Sequence, residues 1–137
     1  MPDFRLFGDE HVRQYEASDG QTGHDWNDTQ ILILRARGRK SGELRKVPLI
    51  YGRSGDDYLL VASKGGAPDH PGWYLNLQAH PEVEIQVWGE VLPVTARTAS
   101  AEEKAELWPI MTAEWADYDS YQAKTERDIP LVILSPR

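Results

Sequence analysis

Residues 34–48, LRARGRKSGELRKVP, gather Arg35, Arg37, Arg39, Lys40, Arg45 and Lys46 around one turn. These are six of the 15 Lys and Arg in a chain whose net charge is −7, and only Glu43 interrupts them. The chemistry open to such a turn is anion binding. Glycine at each end lets backbone approach a ligand, the Ser41 hydroxyl can donate, Arg39 offers a planar fork and Lys40 a compact charge. A charge-assisted hydrogen bond contributes about 1.5–3 kcal/mol. Three of them approach the ~8 kcal/mol of micromolar affinity before ordering costs. The competing reading is a charged hairpin that keeps a sheet edge soluble, and composition alone leaves the two even.

Two further stretches carry chemistry. ASKGGAPDHPGWYLNLQAHP (62–81) sets Lys64 beside two glycines and then opens a helix near Gly72 and Trp73, whose free N–H groups favour anions. In EWADYDSYQ (114–122), Trp115, Tyr118 and Tyr121 recur every three residues and form a ridge on a helix. Core packing is the expectation for Trp115. Tyr118 and Tyr121 suit a pocket wall, because a phenol needs a polar partner.

The elements that must position these residues read as follows. A weak helical pattern covers 8–17. TQILILRAR (29–37) is an apolar, β-branched strand, GRKSGE a turn, and LRKVPLIYGR (44–53) the hairpin partner. Pro48 makes that partner an edge strand. YLLVAS (58–63) is a third strand, and 71–80 a short helix ending before Pro81. VEIQVWG (83–89) alternates with Val83, Ile85 and Val87 on one face, and EVLPVTART returns as its partner. Ser100 and Glu103 form a capping box. The helix it opens carries Ala101, Ala105, Trp108, Met111 and Trp115 on one stripe, and Pro109 should kink or restart it. A helix over 117–126 and a strand over 129–135 complete the chain. The count is about six antiparallel strands with flanking helices, mainly β (α+β): a barrel or open sheet, with no βαβ alternation.

Composition excludes several functions. With 137 residues the chain has the size of one domain, and it contains no cysteine, so disulfides and thiolate metal sites are out. The four histidines show no metal spacing, and no metal is expected. A sequence pI near 5.0 disfavours nucleic acid. No apolar run approaches about 20 residues, and no secretory signal is seen at the N-terminus, so the expected location is cytoplasmic. FRLF (4–7) leaves peripheral contact at the inner membrane face open, although a helix start under the core suits its acidic flanks better. The hairpin turn misses the P-loop spacing and joins two strands instead of opening a helix.

Together RGRKSGELRKVPLIY, LLVASKGGAPDHPGWYLNLQAHPEVEIQV and WADYDSYQAKTERDIPLVILSP resemble the deazaflavin-dependent nitroreductase family, split β-barrel (FMN-binding-like) reductases that use coenzyme F420. The resemblance runs from about residue 30 to the C-terminus. It implies a ring cofactor with a phosphodiester and a polyglutamate tail. By that resemblance Arg39, Lys40 and Ser41 hold the anionic end. Arg45, Lys46, Val47, Pro48, Leu49 and Ile50 follow the cofactor along the second strand, largely through backbone. Val61, Ala62, Ser63 and Lys64 close the other side, with Gly72, Trp73, Tyr74 and Asn76 at the loop–helix junction. Tyr118 lies near the ring. The activity implied is hydride transfer to an electron-poor acceptor, a quinone, activated alkene or nitro compound, with Tyr118, Tyr121 and Ser63 as candidate proton donors. Some members carry tyrosine where this chain has Ile50 and Trp115. Ile50 cannot hydrogen-bond an acceptor oxygen and Trp115 has only an N–H, which weighs against nitro-compound activation. FMN is the alternative cofactor, but Arg45, Lys46 and Lys64 exceed what one phosphate needs. A carrier without turnover is the non-enzymatic alternative. A monomer and a homodimer are both open. Residues 1–28 lie outside the resemblance as an N-terminal helix and loop expected to shape the substrate mouth, ahead of a cofactor-binding unit over 29–137.

Overall fold

The structure, a computed structural model, describes residues 8–137; FRLF falls outside them. The described elements are α1 (Gly8–Ser18), β1 (Asp25–Trp26), β2 (Thr29–Arg37), β3 (Leu44–Ile50), β4 (Gly52–Ser54), β5 (Asp57–Val61), α2 (Gly72–Ala79), β6 (Glu82–Val87), β7 (Glu90–Thr98), α3 (Ala101–Glu114), α4 (Asp117–Lys124) and β8 (Leu131–Pro136). All strand pairs are antiparallel, in the order β1-β2-β6-β7-β8-β5-β4, and β3 pairs with β2. The sheet curls into a half-barrel with four helices around it. This is the split β-barrel architecture, in a mixed α+β chain.

The strand count is eight among the described residues, not six. One addition is the two-residue β1. The other comes from a break in the stretch 44–53. After Ile50 the chain turns away from β2: the Tyr51 N–H donates to the Gln30 carbonyl at 3.0 Å. Gly52–Ser54 then pairs with β5. Continuous β-propensity hid this change of partner, because a strand that switches neighbours keeps the same local pattern. β3 pairs with β2 alone, with Pro48 opposite Ile33, so its other edge is free to face a cleft, as a mid-strand proline requires.

The main core lies inside the half-barrel, around Leu32, Leu34, Leu60, Ile85, Val94 and Leu134. Met111 and Ile129 anchor a second cluster under α3 and α4. A third, with Val12, Tyr15, Ile31 and Ile33, seats α1. The capping box forms as expected: the Glu103 N–H donates to Ser100 Oγ at 3.2 Å, and the Ser100 N–H donates to Glu103 Oε1 at 3.0 Å. Pro109 does not restart α3, which runs unbroken from Ala101 to Glu114. The expected apolar stripe is also narrower than its spacing suggests. Met111 is fully buried, whereas Ala101 and Ala105 are exposed. The buried contact of α3 with the sheet is made by its C-terminal half, where a Cβ on Gly52 would lie 2.7 Å from Met111 Sδ.

Candidate active site

Two adjoining clefts carry most of the residues singled out by the sequence. The first encloses about 390 Å³ between the β2–β3 turn and the start of α2. Gly38, Arg39, Lys40, Ser41, Arg45, Val47, Gly72, Trp73 and Asn76 line it. Arg39 fastens the turn to the helix. Its backbone N–H and its Nη1 each reach Asn76 Oδ1 at 3.0 Å, and Nη1 also donates to the Gly72 carbonyl at 3.4 Å. No side chain caps α2 at Pro71; the Tyr74 and Leu75 N–H groups donate to the Pro71 carbonyl, and Gly72 and Trp73 open the helix at the cleft. Among the described residues Arg39 and Lys40 have no carboxylate at ion-pair distance, whereas Arg45 stands 3.9 Å from Glu43. Such a rim can hold a polyanion.

The second cleft, of about 480 Å³, adjoins the first and shares Val47 and Trp73 with it. Pro48, Leu49, Ile50, Val61, Ser63, Lys64, Trp115, Tyr118 and Tyr121 line it. Its wall is mostly apolar and aromatic, suited to flat rings. Trp115 packs against the second core cluster, as expected, and also lines this cleft: its indole stacks on Trp26 with centroids 6.0 Å apart, and its Nε1 donates to the Tyr121 hydroxyl at 3.3 Å. Tyr118 is edge-on to Tyr121 at 6.2 Å. Burial pushes the Tyr118 hydroxyl well above the ordinary phenol range, so it keeps its proton.

Three of the predicted residues turn their side chains elsewhere. Lys46 points to the other face of β3, where its Nζ meets Glu16 Oε2 at 2.8 Å, and Arg35 shares that carboxylate at 3.4 Å. The alternation of a strand is the reason: Arg45 and Val47 face the cleft, so Lys46 faces α1. Tyr74 is buried under α2, and its hydroxyl lies 2.6 Å from Thr98 Oγ1. Ala62 is fully buried in the main core. Two of the six cations in the opening stretch are thus paired away from the cleft, both with Glu16 and Arg35 also with Glu84, and the set lining the cleft is smaller than composition suggests.

The structure adds residues that sequence reasoning missed. His11 and Trp26, both from the first 28 residues, line the second cleft, together with Ile31, Gly65 and Pro71. Arg127 holds the loop after β5 in place. Its guanidinium donates to the carbonyls of Ala67 at 2.8 Å, Ala62 at 3.2 Å and Ser63 at 2.7 Å, and to His70 Nδ1 at 3.1 Å. That loop carries Ser63 and Lys64 to the cleft edge, with Lys64 Nζ 2.9 Å from Asp69, whose carboxyl this contact holds below its usual range. Gly66 (φ +84°) is obligatory there, since a Cβ would lie 2.8 Å from the Tyr121 carbonyl. No local motif marks Arg127. It acts from 57 to 65 positions away.

A curled half-barrel with a cationic groove beside an aromatic cleft defines a class, the split-barrel cofactor-binding reductases. The comparisons narrow it. The profile of the F420H(2)-dependent quinone reductase family matches residues 7–136. This chain belongs to that family. The match starts at residue 7 and not near 30, so α1 is part of the shared pattern. The F420H(2)-dependent quinone reductase Rv1261c of Mycobacterium tuberculosis is 41% identical over 131 residues, 93% of this chain and 88% of that one. A solved F420-H2 dependent reductase, FDR-A, shares 42% identity with a TM-score of 0.71, covering 77% of this chain and 93% of its own. A second solved structure, described as a domain-swapped dimer, shares 38% identity with a TM-score of 0.74 over 92% of each chain. The chain is an oxidoreductase of the coenzyme F420 class. Among the described residues no helix is long and apolar enough to cross a membrane.

Proposed function

We propose that this protein reduces quinones, with coenzyme F420 lying along both clefts. One observation carries this reading: the cationic groove and the aromatic cleft lie side by side and share Val47 and Trp73 in their walls. A cofactor with an anionic tail and a flat ring needs those two environments in that order. The donor set fits. Arg39, Lys40 and Ser41 would hold the phosphate and tail, the free edge of β3 would follow the chain, and Val61, Ser63 and Lys64 would close the far side.

When bound, reduced F420 supplies a hydride. The residues of this chain do the rest. Trp115, Trp26 and Ile50 give a dry wall for a planar acceptor, which strengthens any hydrogen bond made inside it. Tyr118 and Tyr121 present hydroxyls to the same space. Trp115 donates into the Tyr121 oxygen, which leaves the Tyr121 proton free to point at an acceptor oxygen. Tyr118, held neutral by burial, can donate to an oxygen that gains negative charge. Ser63 stands at the cleft edge as the third candidate, its carbonyl fixed by Arg127. Quinone is favoured over nitro compounds because Ile50 and Trp115 offer only one N–H donor between them.

Anaerobic mixing of the protein with reduced F420 and 2-methyl-1,4-naphthoquinone tests this. Deazaflavin absorbance should return at a rate proportional to enzyme. Reduction of an enone or a nitroarene, with benzoquinones and naphthoquinones left untouched, would overturn the quinone assignment.

A further inference from the structure

The second cleft contains one polar group whose orientation is fixed from behind. His11, on α1, is buried and lines this cleft. Its Nε2 lies 2.8 Å from the Gly23 carbonyl. A carbonyl oxygen only accepts, so Nε2 carries the proton and Nδ1 keeps its lone pair. Gly23 enforces the ring's placement: at φ +114°, a Cβ there would lie 2.9 Å from His11 Cδ2 and 3.0 Å from Nε2. The Cδ2–Nε2 edge is therefore packed on the 20–24 loop, and the opposite edge bears Nδ1. Among the described residues Nδ1 has no hydrogen-bond partner, yet it is not among atoms sealed from solvent. Trp26, 6.1 Å away between centroids, flanks the ring and continues to Trp115. Burial lowers the imidazole pKa and keeps the ring neutral, which agrees with this tautomer.

We infer that His11 Nδ1 is a hydrogen-bond acceptor in the acceptor pocket, selecting planar quinones that carry a hydroxyl donor beside the ring. This rests on the quinone reading of the same cleft. The lone pair also excludes His11 as the proton donor of the reaction, because Nδ1 has no proton to give. Its part is specificity and orientation. One neutral hydrogen bond contributes about 0.5–1.5 kcal/mol, roughly a two- to twelvefold preference.

The test pairs 2-hydroxymethyl-1,4-naphthoquinone with 2-methyl-1,4-naphthoquinone, which differ by one hydroxyl. The wild type should prefer the first in kcat/KM by roughly three- to tenfold. His11→Phe should bring the ratio to about one. His11→Gln should restore part of it, since the amide N–H can serve Gly23 while its oxygen faces the pocket. An independent arm uses nitrogen-15 NMR on histidine-labelled wild type without cofactor. Nε2 should carry the proton, and Nδ1 should shift on adding the hydroxymethyl compound but not the methyl one. A protonated Nδ1, an equal response to both compounds, or a preference that survives His11→Phe would overturn the inference. If neither quinone turns over but Nδ1 still responds selectively, the quinone-reductase reading falls and the binding role of His11 stands.

Discussion

The two clefts are built by opposite strategies. The cationic groove draws most of its residues from one hairpin: Gly38, Arg39, Lys40, Ser41, Arg45 and Val47 span ten positions, and α2 supplies Gly72, Trp73 and Asn76. The aromatic cleft is assembled from α1, β1, β3, β5, the loop after it, and α4. Charge chemistry tolerates such a compact source, because a turn can present several donors to one anion. Flat apolar walls cannot be built that way. A continuous aromatic surface, such as the stacked pair of Trp26 and Trp115, requires segments far apart in the chain. The cationic groove is therefore largely a local construction, and the aromatic cleft a tertiary one.

Substitutions should separate the two. The largest effect belongs to the aromatic cleft. Tyr118→Phe should lower kcat about a hundredfold while leaving the F420 dissociation constant within about twofold, as loss of a proton donor predicts. Because burial raises the Tyr118 pKa, wild-type turnover should not fall from loss of this proton as pH rises through about 10, the ordinary phenol value. An equal loss of cofactor affinity would erase the division of labour. Next comes the groove. Lys40→Ala should weaken F420 binding tenfold or more at low salt, with a smaller ratio at high salt, read by quenching of Trp73 fluorescence. The KM for the quinone should not move; if it does, the two regions are coupled.

Trp115→Ala should reduce kcat/KM for naphthoquinones roughly three- to tenfold, with benzoquinones affected less, because the lost wall matters most to the larger ring. The smallest effect lies outside both clefts. The hydrogen bonds from Arg97, 2.8 and 2.7 Å long, hold the Glu103 carboxyl down at about 2. A depressed folded-state pKa gives stability that is present above the unfolded value, near 4.5, and lost as pH falls toward about 2. The Tm of Glu103→Gln should sit slightly below wild type at pH 7, and the gap should close between pH 4.5 and 2. The exposure of this pair keeps the effect small. A gap that persists at pH 2 would mean that the capping geometry, and not the charge, is what stabilises α3.

Part of this layout was legible without coordinates. The turn at Gly38–Gly42, the capping box at Ser100 and the edge character of β3 each follow from residue types over a few positions. Of the clustered charges, Arg39, Lys40 and Arg45 line the first cleft, whereas Arg35 and Lys46 carry the same formal charge and are turned by strand alternation toward Glu16 on α1. For Trp115 the core contact was legible but the cleft it also lines was not. A helical stripe says which residues share a face, not whether that face meets a core or a cleft.

By itself the sequence determined the antiparallel strand pairs and the cation-rich turn, because both depend on hydrogen-bonding geometry and residue type within a few positions; the split barrel was legible only through the family resemblance. Only the tertiary structure decided the acceptor wall. His11, Trp26 and Arg127 gain their roles from Gly23, Trp115 and the carbonyls after β5, distant partners that no local pattern encodes. Packing sets those distances, and packing belongs to the whole chain.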